Sequence, residues 1–368
     1  MNAERKSGNF TRNLLIVLCI VLLLILVVMG AATGYVNYLL GHMNQVNPDD
    51  EYTMSNSEAE DNFLDDDDLS TIDPDSTEDI IHIDDIIHPG LPDDGSTGDD
   101  KPQDNPKPLD VISGDHLVNI LLVGQDRREG EGRQRSDTMI LVTFNKSQNT
   151  VTLTSFMRDQ YVAIPGYRPN KLNAAYQFGG MKLLTQTLRV NFGVQVDGIV
   201  EVDFGGFQNV IDLVGGVDIK LTEKEAEYFN SRYNWGVEVG VNHLTGAQAL
   251  SYARLRSIDT DYNRSARQRN VITALMNSCK RLSLTELLGL VDDILPMIST
   301  NISNGQIISY VTELFPLLTS ASMENARIPV DGTFEYGIVQ VRPGLTAWFQ
   351  YNIDFYANNQ YLNEIFKK

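Results

Sequence analysis

Leu117-Val118-Asn119-Ile120-Leu121-Leu122-Val123-Gly124 is the stretch on which the fold turns. It is short, dominated by aliphatic side chains, free of charge, and stopped by a glycine, which reads as a buried strand. Two more such runs follow at 139–144 and 151–156, separated by the turn-forming Asn145-Lys146-Ser147-Gln148-Asn149. Beyond them the period changes. Leu184, Leu188 and Phe192 fall at helical spacing within 181–192, and 199–202 reverts to a strand pattern. Phe207, Val210, Ile211 and Val214 form a helical stripe stopped by Gly215-Gly216. Thr245 and Gln248 match a capping box, and Val271, Leu275, Cys279 and Leu282 mark a long helix. Helical patterns at 284–298 and 305–318 and strand patterns at 326–330 and 334–341 complete the series. This alternation predicts an α/β fold, a sheet covered by helices on both faces.

The rest of the chain differs in kind. The protein has 368 residues and a formal net charge of −20. That charge has one address: 49–115 holds 23 acids and two lysines, whereas 116–368 holds 25 acids and 24 bases. The acidic stretch, rich in Asp, Ser, Thr, Gly and Pro, predicts a disordered linker over 37–115, since it has too little apolar surface to offset the entropy of ordering. Asp65-Asp66-Asp67-Asp68 lacks the alternating ligand spacing of a calcium loop. Ile80-Ile81, Ile83 and Ile86-Ile87 are the linker's candidates for a strand or docking segment. Before the linker, 14–32 carries no charged or polar side chain, long enough to span a bilayer. Arg5, Lys6 and Arg12 precede it and no Lys or Arg follows within 16 residues. The pattern predicts a cytoplasmic N-terminus over 1–13, a transmembrane helix over 14–36 and an extracellular domain over 116–368. A cleaved signal peptide is the rival reading, but its apolar core is shorter. Such a topology argues against a DNA-binding regulator. Cys19 and Cys279 exclude a disulfide framework and a zinc ribbon.

Arginine carries the chemistry. Ten of the 16 arginines of 116–368 fall in two sets: Arg127, Arg128, Arg133, Arg135 and Arg158, then Arg254, Arg256, Arg264, Arg267 and Arg269. The planar guanidinium fork matches phosphate oxygens with paired hydrogen bonds, so such concentration in a near-neutral domain points to an anion site. Arg264, Arg267 and Gln268 share one face of a first helical turn, where a docked phosphate offsets the cations' conflict with the helix dipole. Neutralisation of these arginines by Asp259 and Asp261 is the competing reading. In the first set, Asp126 and Asp137 stand at strand ends beside arginines. They suit either a divalent cation held against phosphate oxygens or plain Asp–Arg pairing. Arg158-Asp159 stands at the end of a third strand. His42, His82, His88, His116 and His243 are too scattered for a zinc site or a histidine-based triad, Ser136 and Ser155 have no histidine partner, and no Walker loop occurs.

Taken in order, seven short motifs resemble the LytR-CpsA-Psr family of cell-wall glycopolymer transferases. They are 119–126, 135–140, 155–159, Lys171-Leu172-Asn173-Ala174-Ala175-Tyr176, 202–207, 244–256 and Arg264-Ser265-Ala266-Arg267-Gln268-Arg269. Asn263 departs from the pattern, which often has glycine there. The resemblance implies a three-layer α/β/α head with a central mixed sheet. It implies a phosphotransferase that moves a glycopolymer from a polyprenyl-(pyro)phosphate carrier onto a peptidoglycan hydroxyl. Asp126 and Asp137 would bracket Mg2+ or Mn2+, and Asp159 would serve as base. Arg135, Arg158, Arg254, Arg256, Arg264, Arg267 and Gln268 would surround the pyrophosphate. A prenyl slot is expected among Leu183, Leu184, Leu188, Val210, Ile211 and Leu275. Hydrolysis of the lipid-linked donor alone and a non-catalytic receptor for such lipids are the alternatives.

Overall fold

The computed structural model describes residues 44–47, 51–61, 70–71, 81–83, 86, 109–125, 133–282, 286, 293–342 and 345–367. The chain divides between Met43 and Asn44, and all that follows concerns the second part. The expected transmembrane helix at 14–36 and Asp126 lie outside the described residues. Among those described, no helix is long and apolar enough to cross a membrane.

A seven-stranded mixed sheet forms the centre. Its order is Asn44–Gln45, Ile298–Thr300, Gly198–Asp203, Leu117–Gln125, Ser136–Asn145, Thr150–Phe156 and Ser322–Ile328. Ser136–Asn145 runs antiparallel to both of its neighbours, Leu117–Gln125 and Thr150–Phe156, and Gly198–Asp203 and Ser322–Ile328 flank those two in parallel. Alternation along each strand sends side chains to opposite faces. Leu121, Val123, Met139 and Leu141 pack with the Leu172–Phe192 and Phe355–Lys367 helices. Val118, Ile120, Ile140 and Val142 pack with Leu314 and Leu317 of the Asn304–Ser320 helix and with Ile272 and Met276 of the Asp261–Cys279 helix. Helices therefore cover both faces, as the alternation predicts. A smaller core gathers Ile211, Val217, Phe229, Leu244, Tyr252 and Val271 beside the sheet.

Most expected elements form. Asp203 caps the Phe204–Leu213 helix through Gly206 N–H, and Thr245 and Gln248 make the capping box of the Gly246–Ala253 helix. The helix pattern read over 284–298 ends in a single 3-10 turn, Leu295–Met297, followed by the Ile298–Thr300 strand. Pro296 supports the turn and removes a backbone donor. The helix expected from 181 begins at Leu172 and bends at Gly179-Gly180, where Gly180 has φ +61°.

The linker reading is corrected for its described pieces. Asn44–Gln45 extends the central sheet, and Ser70–Thr71 and Ile81–His82 flank the Glu335–Arg342 and Leu345–Tyr351 strand pair. Composition hides the cause, which lies in single residues. Ala59, Ile83, Ile86 and Ile112 are buried, and Val46 and Met54 pack against the main core. Glu51 adds a polar tie: its carboxylate accepts the Met181 N–H at 2.8 Å and pairs with Arg133 at 3.2 Å. It thus satisfies a free amide where the bent helix restarts. Burial pushes the Glu51 carboxyl above its ordinary value, and Arg133 opposes that rise.

Candidate active site

Strand ends and one helix start converge on the site. The Ser136–Asn145 strand supplies Asp137, and the residues just after Thr150–Phe156 supply Arg158 and Asp159. Lys171 ends a short strand and Asn173 opens the helix that follows. From the other side come Arg254 and Arg256, after the Gly246–Ala253 helix, and the first turn of the Asp261–Cys279 helix.

Asp137 lies at the centre. Arg158 Nη1 donates to its Oδ1 at 2.7 Å, and Arg256 Nη2 lies 3.6 Å from Oδ2. Asp159 faces Arg158 at 3.6 Å and Lys171 Nζ at 3.0 Å. Lys171 is only 2% exposed, with its ammonium 5.2 Å from the centre of the Phe349 ring. Asp261 takes Arg264 Nη2 at 2.8 Å and lies 3.9 Å from Arg256. Burial raises the Asp261 carboxyl above its ordinary value; Asp159 and Asp137 add to the rise, while Arg158 and Arg256 oppose it. Three carboxylates and four cations thus act on one another.

Arg135 joins from the buried side, its Nη1 3.4 Å from Asn173 Oδ1, and the Asn173 N–H reaches the Arg158 carbonyl at 3.3 Å. Two buried donors, Asn173 Nδ2 and Arg264 Nε, have no hydrogen-bond acceptor among the described residues. Buried donors are rarely left so, and a cluster of them beside cations calls for an oxygen-rich anion. Arg254 stands over the Phe204 ring at 4.1 Å. With Arg256, Gln208 and Tyr233 it lines an adjoining cleft of about 560 Å³.

Not every expected residue joins. Arg267 is committed elsewhere. Its Nε donates to Glu225 at 2.6 Å, its Nη1 to the Leu255 carbonyl at 2.9 Å, and its terminal nitrogens clasp Asp259. Asp259 therefore neutralises Arg267, the competing reading of the sequence, and this arginine braces the loop before its helix. Gln268 is half-buried one residue on. Arg269 turns to the sheet and donates to Ser155 Oγ at 2.6 Å; burial, then Arg327, lowers it to about 10. The expected prenyl slot divides between two cores: Leu183, Leu184 and Leu188 lie in the main one, Ile211 and Leu275 in the smaller. Lys171 and Asn173 have no role in the sequence reading, although both stand inside one of its motifs, and Asp261 enters it only as a neutraliser of arginines, the part it plays toward Arg264.

Among the described residues no group of three or more His, Cys, Asp or Glu side chains is placed to hold a metal ion. Asp137 does offer hard oxygen donors, 36% exposed and beside guanidinium groups, a donor type that fits Mg2+ or Mn2+.

The LytR_cpsA_psr family model matches residues 93–350. The chain belongs to the LytR_cpsA_psr family. Polyisoprenyl-teichoic acid–peptidoglycan teichoic acid transferase TagT of Bacillus subtilis is 32% identical over 214 residues, 56% of this chain and 66% of TagT. This chain therefore spans just under two thirds of that relative. A structure of TagT bound to LIIa-WTA superposes with a TM-score of 0.54 at 27% identity, covering 69% of this chain and 90% of the other. A structure of TagT with bound octaprenyl pyrophosphate lipid gives 0.51 at 26% identity, with the same two coverages. The central mixed sheet of this chain is thus the family's sheet.

Proposed function

We propose that this protein transfers a wall glycopolymer from a polyprenyl pyrophosphate carrier onto peptidoglycan. The observation that carries the reading is the cation cluster around Asp137, Asp159 and Asp261, with Asn173 Nδ2 and Arg264 Nε left for an anion's oxygens. TagT, the relative named for teichoic acid transfer to peptidoglycan, and its lipid-bound structure supply the substrate class.

The transfer balances without a covalent enzyme intermediate. A peptidoglycan hydroxyl attacks the phosphorus that bears the polymer, a new P–O bond forms, and the P–O–P bridge breaks to release polyprenyl phosphate. Charge on the non-bridging oxygens is met by Arg135, Arg158, Arg256 and Arg264, with Arg254 at the cleft mouth. Asp159 takes the hydroxyl proton, and Lys171, 3.0 Å from its carboxylate, holds it in position. Asp137 with Asp126 would hold Mg2+ or Mn2+, which when bound supplies further neutralisation of the phosphate oxygens. The apolar 14–36 segment serves as a single membrane anchor with the N-terminus in the cytoplasm and the domain outside.

Arg254→Ala and Asp137→Ala test this. Each is expected to abolish polymer transfer from a lipid-linked donor to peptidoglycan fragments while the circular dichroism spectrum and melting curve stay native. Full transfer by both variants would refute it. A reaction run without peptidoglycan separates transfer from donor hydrolysis.

A further inference from the structure

The Glu335–Arg342 and Leu345–Tyr351 strands form an antiparallel pair with two unlike faces. Val339, Ala347, Phe349 and Tyr351 pack inward with Tyr161. The opposite face carries Tyr336, Ile338, Gln340, Thr346, Trp348 and Gln350, and the register sets His82 beside Gln340. Tyr336 and Trp348 stack there, ring centres 5.0 Å apart and planes 22° from parallel, yet remain 52% and 44% exposed.

This face adjoins the phosphate cluster. Gln350, opposite Tyr336, donates its backbone N–H to the Asp159 carbonyl at 2.9 Å. Its side-chain Nε2 donates to the Tyr262 hydroxyl, next to Asp261, at 3.2 Å. The Tyr336 phenol is pushed up to about 12, first by partial burial, then by Asp159 and Asp261. Gln350 is 2% exposed, and its Oε1 has no hydrogen-bond donor among the described residues.

We propose that Tyr336 and Trp348 form a stacking platform for a pyranose ring of the peptidoglycan acceptor, with Gln350 Oε1 accepting a hydrogen bond from that sugar. The proposal rests on the transfer reading above and names its second substrate's seat. A pyranose presents one face of C–H groups with partial positive charge, which complements the negative face of an aromatic ring, while its hydroxyl and acetamide groups need acceptors at the edge. The donor polymer has a cleft of its own, lined by Arg254 and Arg256. In-line transfer needs the acceptor hydroxyl beside the base, and Asp159 borders the platform.

Trp348 and Trp235 are the chain's two tryptophans, so Trp235→Phe leaves Trp348 as the sole indole reporter. Titration of the full chain carrying Trp235→Phe with muramidase-released peptidoglycan fragments is expected to change Trp348 emission saturably. Adding Tyr336→Ala is expected to weaken that binding about tenfold. In steady-state transfer, Trp348→Ala is expected to raise the acceptor KM about tenfold, with donor KM and kcat unchanged, and Trp348→Phe to restore most of the loss. Three results would overturn the platform: no emission change with the fragments, the same change with polyprenyl pyrophosphate alone, or an unaltered acceptor KM in Trp348→Ala. The titration needs no turnover. Binding without transfer would refute the transfer reading alone, and transfer without this binding would refute the platform alone.

Discussion

Two clusters of arginine and carboxylate look alike in sequence and differ in how completely their hydrogen bonds are met. Around Arg267, two carboxylates and a carbonyl take up the guanidinium, and Arg267 and Glu225 are 5% and 6% exposed. Around Arg158, the partners are spaced and partly open: Asp137 is 36% exposed, shared with Arg256, and Asp159 is divided between Arg158 and Lys171. A closed cluster braces a fold, because any ligand has to break bonds already made. An open one, with spare donors on Asn173 and Arg264 nearby, can exchange part of its internal pairing for phosphate oxygens.

The comparison breaks first at Arg267. Arg267→Ala leaves Glu225 buried without its cation, and removing one partner of a buried pair costs about 3–5 kcal/mol. Denaturant unfolding is expected to show that loss, with activity falling only as the folded fraction falls. Loss of transfer in a fully folded Arg267→Ala protein would instead put this arginine at the phosphate. Arg158→Ala is the converse. Asp137 retains Arg256 and Asp159 retains Lys171, so the expected stability change is within about 1 kcal/mol. The expected fall in kcat is about 10²–10³-fold, the usual effect of deleting one donor to developing charge. A large stability loss with kcat kept in the folded fraction would make Arg158 a second brace.

Sequence could not have separated these two arginines by local pattern. Arg267 and Arg264 share a helix face, and what distinguishes them is Glu225, 42 positions away, reached only when the smaller core closes. Asp137 and Arg158 were legible because both follow from apolar runs with clear ends, and sheet pairing brings strand ends together. The linker shows the opposite failure. Its aspartates dominate any average, while Glu51, Met54 and Ala59 act singly against a surface that the sequence does not display. Tyr336 and Trp348 carry no local signal either, since only the strand register places both on one face beside Asp159.

An exposed cluster completes the series and has the smallest expected effect. His243 Nδ1 lies 2.8 Å from Asp218, His243 Nε2 lies 2.8 Å from the Gly215 carbonyl, and Arg281 reaches the other Asp218 oxygen at 3.3 Å. The hydrogen bond to Asp218, then that to Gly215, raises the His243 value, while Asp218 is lowered, chiefly by the bond from His243. A raised histidine contributes stability in full below about 6.5, its unfolded value, and loses it as pH rises through the folded value. A lowered aspartate contributes above its unfolded value of about 3.9 and loses it as pH falls through the folded one. The two windows overlap between roughly pH 4 and 6.5. His243→Ala is therefore expected to reduce stability by about 0.2–1 kcal/mol at pH 5.5, the range of exposed pairs, and by less at pH 9. Unfolding curves at both pH values, repeated in 1 M salt where exposed pairs are screened, measure it. An equal loss at both pH values would mean that the His243 ring acts by packing beneath Gly216 rather than by charge.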